Sequence, residues 1–160
     1  MAFKEKFTDQ EWLYLEKAPF LVFNAVANAD GTIDKKEIKA FHKALQNFTE
    51  LSNELSKEIL KSVAKNFKES DIDISNLNSE LAKVTKVLES KVSYKDALNF
   101  KKTLIALGIH IGNSSGGIFS SKFSDEEVEA LKTVGTSLGV SETQLQQSPS
   151  IKDLINSFKR

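Results

Sequence analysis

The ten residues from Asn28 to Glu37, NADGTIDKKE, gather Asn28, Asp30, Asp34 and Glu37 around a single glycine, Gly31. Oxygen donors at that density beside a glycine turn suit a hard divalent cation. With Gly31 taken as the invariant glycine of an EF-hand calcium loop, Asn28, Asp30, Thr32, Asp34 and Glu37 all fall on ligand positions. The leading ligand position then falls on Val26, whose side chain has no oxygen and which lies in an apolar run. A second loop aligned on Gly117 would put Phe123 where the bidentate glutamate belongs. An EF-hand is therefore not the expected reading. The same residues have a structural use. Gly31 suits a left-handed helix cap, Asp34 and Glu37 have capping-box spacing, and Asp30 precedes a helix whose dipole favours an anion. A ligand-free corner between helices and a non-EF cation site both stay open.

The remaining chemistry-bearing residues are fewer. His42 follows Phe41 at the margin of an apolar face and is expected to pack or hydrogen-bond there. His110 is the one strongly polar side chain in LIALGIHI, and a buried, satisfied imidazole is weighed beside a ligand or acid–base role. Neither histidine has metal-protease spacing, and no nucleophile elbow, phosphate loop or dinucleotide fingerprint is present. GNSSGG follows a helix rather than a strand, so it reads as a flexible loop and not as a phosphate cradle. No nucleophile–base pair can be assembled, so an enzyme is the least favoured class. Phe20, Phe23, Phe41, Phe48 and Phe67 recur at helical spacing as expected core, and bundles of this kind also hold small ligands between central helices.

The elements that must position these residues are helices. Apolar residues recur three and four apart along nearly the whole chain, and no sustained alternation marks a strand, so the expected class is all-α. One domain spanning residues 1–160, with about seven or eight helices, is expected from this length. TDQE carries the capping-box pair Thr8 and Glu11. Pro19 is expected to break or restart the helix, because proline fits best in a first turn. The following PFLVFNAVANAD is apolar on nearly every side and should sit centrally. Ile38, Phe41 and Leu45 share one face of a helix from Asp34. Stripes follow at Leu55, Ile59, Val63 and Phe67, then at Leu77, Leu81, Val84 and Leu88. Ser93 with Asp96 opens a longer helix, Gly139 closes the next with a left-handed cap, and a short helix starts near Ser150.

Bulk composition narrows the function classes. The 22 basic and 22 acidic residues are interspersed, which argues against a nucleic-acid or anionic-membrane footprint. No cysteine is present, so there is no disulfide framework or thiolate chemistry. Charges occupy the N-terminus where a signal peptide needs an apolar run, and no apolar run approaches the roughly 20 residues of a membrane span. The expectation is a soluble cytoplasmic protein with no membrane insertion.

A shift of 90 residues lays IDKKEIKAF from Ile33 on FSDEEVEAL from Phe123. The N-caps Asp34 and Ser124 coincide, as do Glu37 and Glu127, and each copy follows an apolar helix and a glycine-containing loop. The second loop is read as about seven residues longer. Two pseudo-symmetric helical hairpins are expected, from an internal repeat of about 19–48 and 103–138.

In this doubled context, Ala29, Asp30, Gly31, Ile33 and Glu37 resemble the TerB-like domains named after the tellurite-resistance protein. EWLYLEKAPFLVFNAVANADGTIDKKEIKAF and FSDEEVEALKTVGTSLGVS are similar to the two halves of that family. The resemblance implies an all-helical, non-enzymatic protein tied to tellurite and other stress-linked systems, mostly bacterial, with protein partners in that system. It also implies an acidic cluster for a divalent metal, which carries over to Asp30, Asp34 and Glu37. Asp125, Glu126 and His110 are additional candidates; the second loop has Asn113 where Asp30 would correspond. Such oxygen ligands suit calcium, magnesium or manganese better than zinc. The alternative is a helical protein-interaction or small-ligand-binding module in which these acids only cap helices.

Overall fold

A computed structural model describes residues 3–27, 35–51, 54–65, 77–115 and 125–140, with side chains left out at the helix positions 27, 35–37, 48–51, 77–78, 109–115 and 125–131. Among the described residues the chain is all-helical apart from short connections, with no strand. A 3-10 helix, Phe3–Lys6, precedes α1 (Asp9–Ala27), α2 (Lys35–Leu51), α3 (Glu54–Lys65), α4 (Leu77–Lys91), α5 (Tyr94–Ser115) and α6 (Asp125–Leu138).

Helix α1 begins where the sequence asks it to. The Glu11 N–H donates to Thr8 Oγ1 at 3.1 Å, and the Thr8 N–H donates to Glu11 Oε1 at 2.8 Å. Each side chain thus satisfies an amide that the first turn leaves without a helical partner. The Thr8 amide, aided by the Lys91 ammonium 3.5 Å from Glu11 Oε1, holds the Glu11 carboxyl below its usual value. Ser93 does the same for α5, accepting from the Asp96 N–H at 3.1 Å.

The expected break at Pro19 does not occur. Helix α1 runs through the proline to Ala27 in one piece. The reason lies in packing: residues 18–23 are buried on every side of the helix, and α1 packs against α3, α4, α5 and α6. That surrounding contact holds the helical course across a position where local preference opposes it. As a result, the expected first and second helices are one.

Helix α5 is the other central element, touching α1, α2, α3, α4 and α6. Phe100, Leu104, Ile105, Ala106 and Leu107 are all buried, and each fully buried large apolar side chain contributes about 1.5–3 kcal/mol. The outer helices are amphipathic. Helix α2 buries Phe41, Ala44 and Leu45 while Lys39 and Lys43 are exposed; Ile38 is half-buried. Helix α3 buries Leu55, Ile59, Leu60 and Val63, and α4 buries Leu81, Val84, Val87 and Leu88. The expected stripes are therefore the core faces wherever their residues are described; Phe48 and Leu77 lack described side chains, and Phe67 lies outside the described residues.

A second correction concerns GNSSGG. Its first four residues, Gly112 to Ser115, belong to α5, and the rest of the stretch lies outside the described residues. The lengths of the two loops, and the difference of about seven residues expected between them, lie outside the described residues. Asn113 lies inside α5 and is not a loop counterpart of Asp30. The expected helix near Ser150 lies outside the described residues.

Helix α6 ends in a Schellman motif. Gly139 has φ 73°, its N–H donates to the Thr136 carbonyl at 3.0 Å, and the Val140 N–H donates to the Gly135 carbonyl at 2.9 Å. Val140 and Val134 are both buried, as the hydrophobic contact of that motif requires. A Cβ at Gly139 would meet nothing within 4 Å, so only backbone conformation opposes a side chain there. Gly139→Ala should cost about 1–2 kcal/mol in a urea titration. An unchanged midpoint would show that this cap does not constrain α6.

Candidate functional site

The segment that carries Asp30 and Asp34 lies between α1 and α2 in the chain, and those two helices are described. Val26, in the last turn of α1, is buried, so the position where an EF-hand needs its first oxygen holds a core side chain. Phe23 lies one turn earlier. Its ring stacks on Phe41 of α2 with centroids 4.5 Å apart and planes 14° apart. Phe20 meets the same Phe41 ring edge-on at 5.5 Å and 72°. Three phenylalanines thus pin α1 to α2.

Asp30 and Asp34 lie outside the described residues. Glu37 stands in the first turn of α2, and Asp125 and Glu126 open α6, where the helix dipole favours acids. His110 lies on α5. The side chains of Glu37, His110, Asp125 and Glu126 lie outside the described set. His42, directly after Phe41, is half-buried, as its place at the margin of the apolar face suggested. Among the described residues no three Asp, Glu or His side chains group closely enough to hold a metal ion. No described helix is long and apolar enough to cross a membrane.

Polar groups at the described helix contacts tie neighbours together. Lys101, though buried on α5, reaches Glu89 Oε1 of α4 at 3.5 Å, and the Glu89 end is open to water. Ser62 of α3 donates to Glu16 of α1. The Thr85 hydroxyl of α4 lies 3.1 Å from the Leu81 carbonyl and 3.3 Å from the Ser137 carbonyl of α6. Thr103 donates back to Asn99 within α5. These contacts fix how the helices sit on one another.

Two residues that the sequence did not single out emerge here. Trp12 is buried at the start of α1, and Glu58 of α3 binds the N-terminal backbone. Helical spacing places Trp12 on the Leu15 face of α1. No local signal identifies the target of Glu58, because its partners are more than 50 residues away.

Residues 17–149 match the family model described as tellurite resistance protein TerB. The chain belongs to the TerB family. It is also similar to an uncharacterized protein, ORF11', of Methanothermobacter thermautotrophicus, with 31% identity over 123 residues. That alignment covers 74% of this chain and 83% of the other. No solved structure matches. The TerB segment takes in the phenylalanine clasp, the acidic stretch 28–37 and the Schellman end of α6, whereas the 3-10 helix and Trp12 precede it.

Proposed function

We propose that this TerB-family chain is a non-enzymatic protein of a tellurite, metal or oxyanion stress response, and that it binds a divalent cation at the corner between α1 and α2. Asp30, Asp34 and Glu37 are the ligands in this reading. The observation that carries it is the family match, which bears the tellurite-resistance name and encloses NADGTIDKKE. The clasp of Phe20, Phe23 and Phe41 supports it, since a cation site needs its flanking helices held still. Carboxylate oxygens without thiolate or paired imidazole suit calcium, magnesium or manganese. Asp34 and Glu37 keep a capping role when the cation is absent. Asp30 is the residue whose carboxylate the fold needs least, and so the one most diagnostic of binding. Asp125, Glu126 and His110 are secondary ligands on this reading.

Thermal denaturation with millimolar calcium, magnesium or manganese tests the proposal. A cation present at about 100 times its Kd stabilises by about 2.7 kcal/mol, and each kcal/mol raises the Tm of a chain this size by about 2–4 °C. The native chain should show that rise with at least one of the three ions, and an Asp30→Ala, Glu37→Ala variant should not. If none of the ions moves the native Tm, the corner is not a cation site.

A further inference from the structure

The N-terminal segment lies ahead of the TerB match and is nevertheless bound into the fold. The backbone N–H groups of Phe3 and Lys4 donate to Glu58 Oε2 and Oε1, at 2.8 and 3.0 Å. One carboxylate of α3 therefore holds both leading amides of the 3-10 helix. After that helix the Phe7 N–H donates to the Lys4 carbonyl, and the Phe7 ring is buried against Trp12 with centroids 5.6 Å apart. Phe3 packs half-buried on the same core, with the Lys6 ammonium 5.2 Å over its ring. Lys4, Glu5 and Lys6 are exposed.

Trp12 is only 2% exposed, and among the described residues its indole N–H has no acceptor. A buried donor left without an acceptor destabilises the covered state. We infer that residues 3–7 are a releasable strap, latched by the Glu58 carboxylate, whose opening uncovers Trp12 and its indole N–H. The attachment is narrow, one carboxylate, the buried Phe7 ring and the half-buried Phe3 ring, whereas α1 and α5 are held on several sides by packed side chains. Opening lets the indole donate to water or to a partner carbonyl, which offsets part of the lost Phe7 burial. Segments held by few buried contacts open well below the free energy of global unfolding. The helices behind the strap keep their mutual contacts when it opens.

The chain has one tryptophan, so its fluorescence reports on this site alone. The test compares native protein with Glu58→Gln, using acrylamide quenching and amide hydrogen exchange, with Glu54→Gln as a control on the exposed side of α3. Losing a charge-assisted hydrogen bond should speed exchange of the Phe3, Lys4 and Phe7 amides about tenfold in Glu58→Gln. Quenching of Trp12 should increase with it, while the amides of Phe100 to Leu107 keep native protection and Glu54→Gln behaves as native. Native-like quenching in Glu58→Gln overturns the proposal. So does an equal acceleration across α5, which would mean general destabilisation and no separate strap.

Discussion

Phe41→Ala should lower the free energy of unfolding by about 3–5 kcal/mol. Phe41 is fully buried, and its ring is stacked on Phe23 and edge-on to Phe20. Truncation removes the transfer free energy of the ring and leaves a void that two rigid neighbours fill only in part. The two ring pairs add about 0.5–1.5 kcal/mol each beyond area burial, and both are lost together. Against a typical total stability of about 5–15 kcal/mol, this is a large fraction. A urea titration reads it, and Phe41→Leu, which keeps most of the volume, should cost distinctly less. A loss below about 1 kcal/mol would show that α2 is not anchored through this ring. Because the clasp holds both helices beside the acidic corner, Phe41→Ala should also weaken any cation-dependent rise in Tm.

Pro19→Ala should stabilise the protein. The proline sits in the interior of α1, where it has no N–H to donate to the Leu15 carbonyl. A proline in a helix interior costs about 3 kcal/mol through that lost bond and the crowding of its ring against the carbonyl four residues back. Two effects oppose the gain. Proline restricts the unfolded chain by about 0.4–1 kcal/mol, and losing its buried ring carbons forfeits about 1 kcal/mol more. The balance favours alanine by about 1 kcal/mol, equivalent to a rise in Tm of about 2–4 °C. A fall in Tm would show instead that the course of α1 through Pro19 is needed to seat Phe20 and Phe23 against Phe41.

These two positions show different degrees of legibility. Phe41 was readable as core because its spacing from Ile38 and Leu45 puts the three on one helix face. Pro19 was misread because the preference of proline for a first turn is local, while the contacts that carry α1 through it come from four other helices. The extent of α5 was misread for a related reason. Asn113, Ser114 and Ser115 are weak helix formers, and weak preferences yield to an established helix that is already packed. The caps at Thr8, Ser93 and Gly139 were legible because each closes over three to five residues and depends on nothing further away.

The all-helical class, the core stripes and the caps are written in local relations along the chain. Each is a relation between residues within a turn or two of one another, and side-chain period and backbone chemistry suffice to specify it. Membership of the TerB family was legible in the same way, through the residues around Asp30 and their placement between apolar helices. The continuity of α1, the closing of Phe41 on Phe20 and Phe23, and the hold of Glu58 on the amides of Phe3 and Lys4 depend on packing between distant segments. Those are contacts across about 20 to 55 residues of chain, and they form only when packing has brought the helices together.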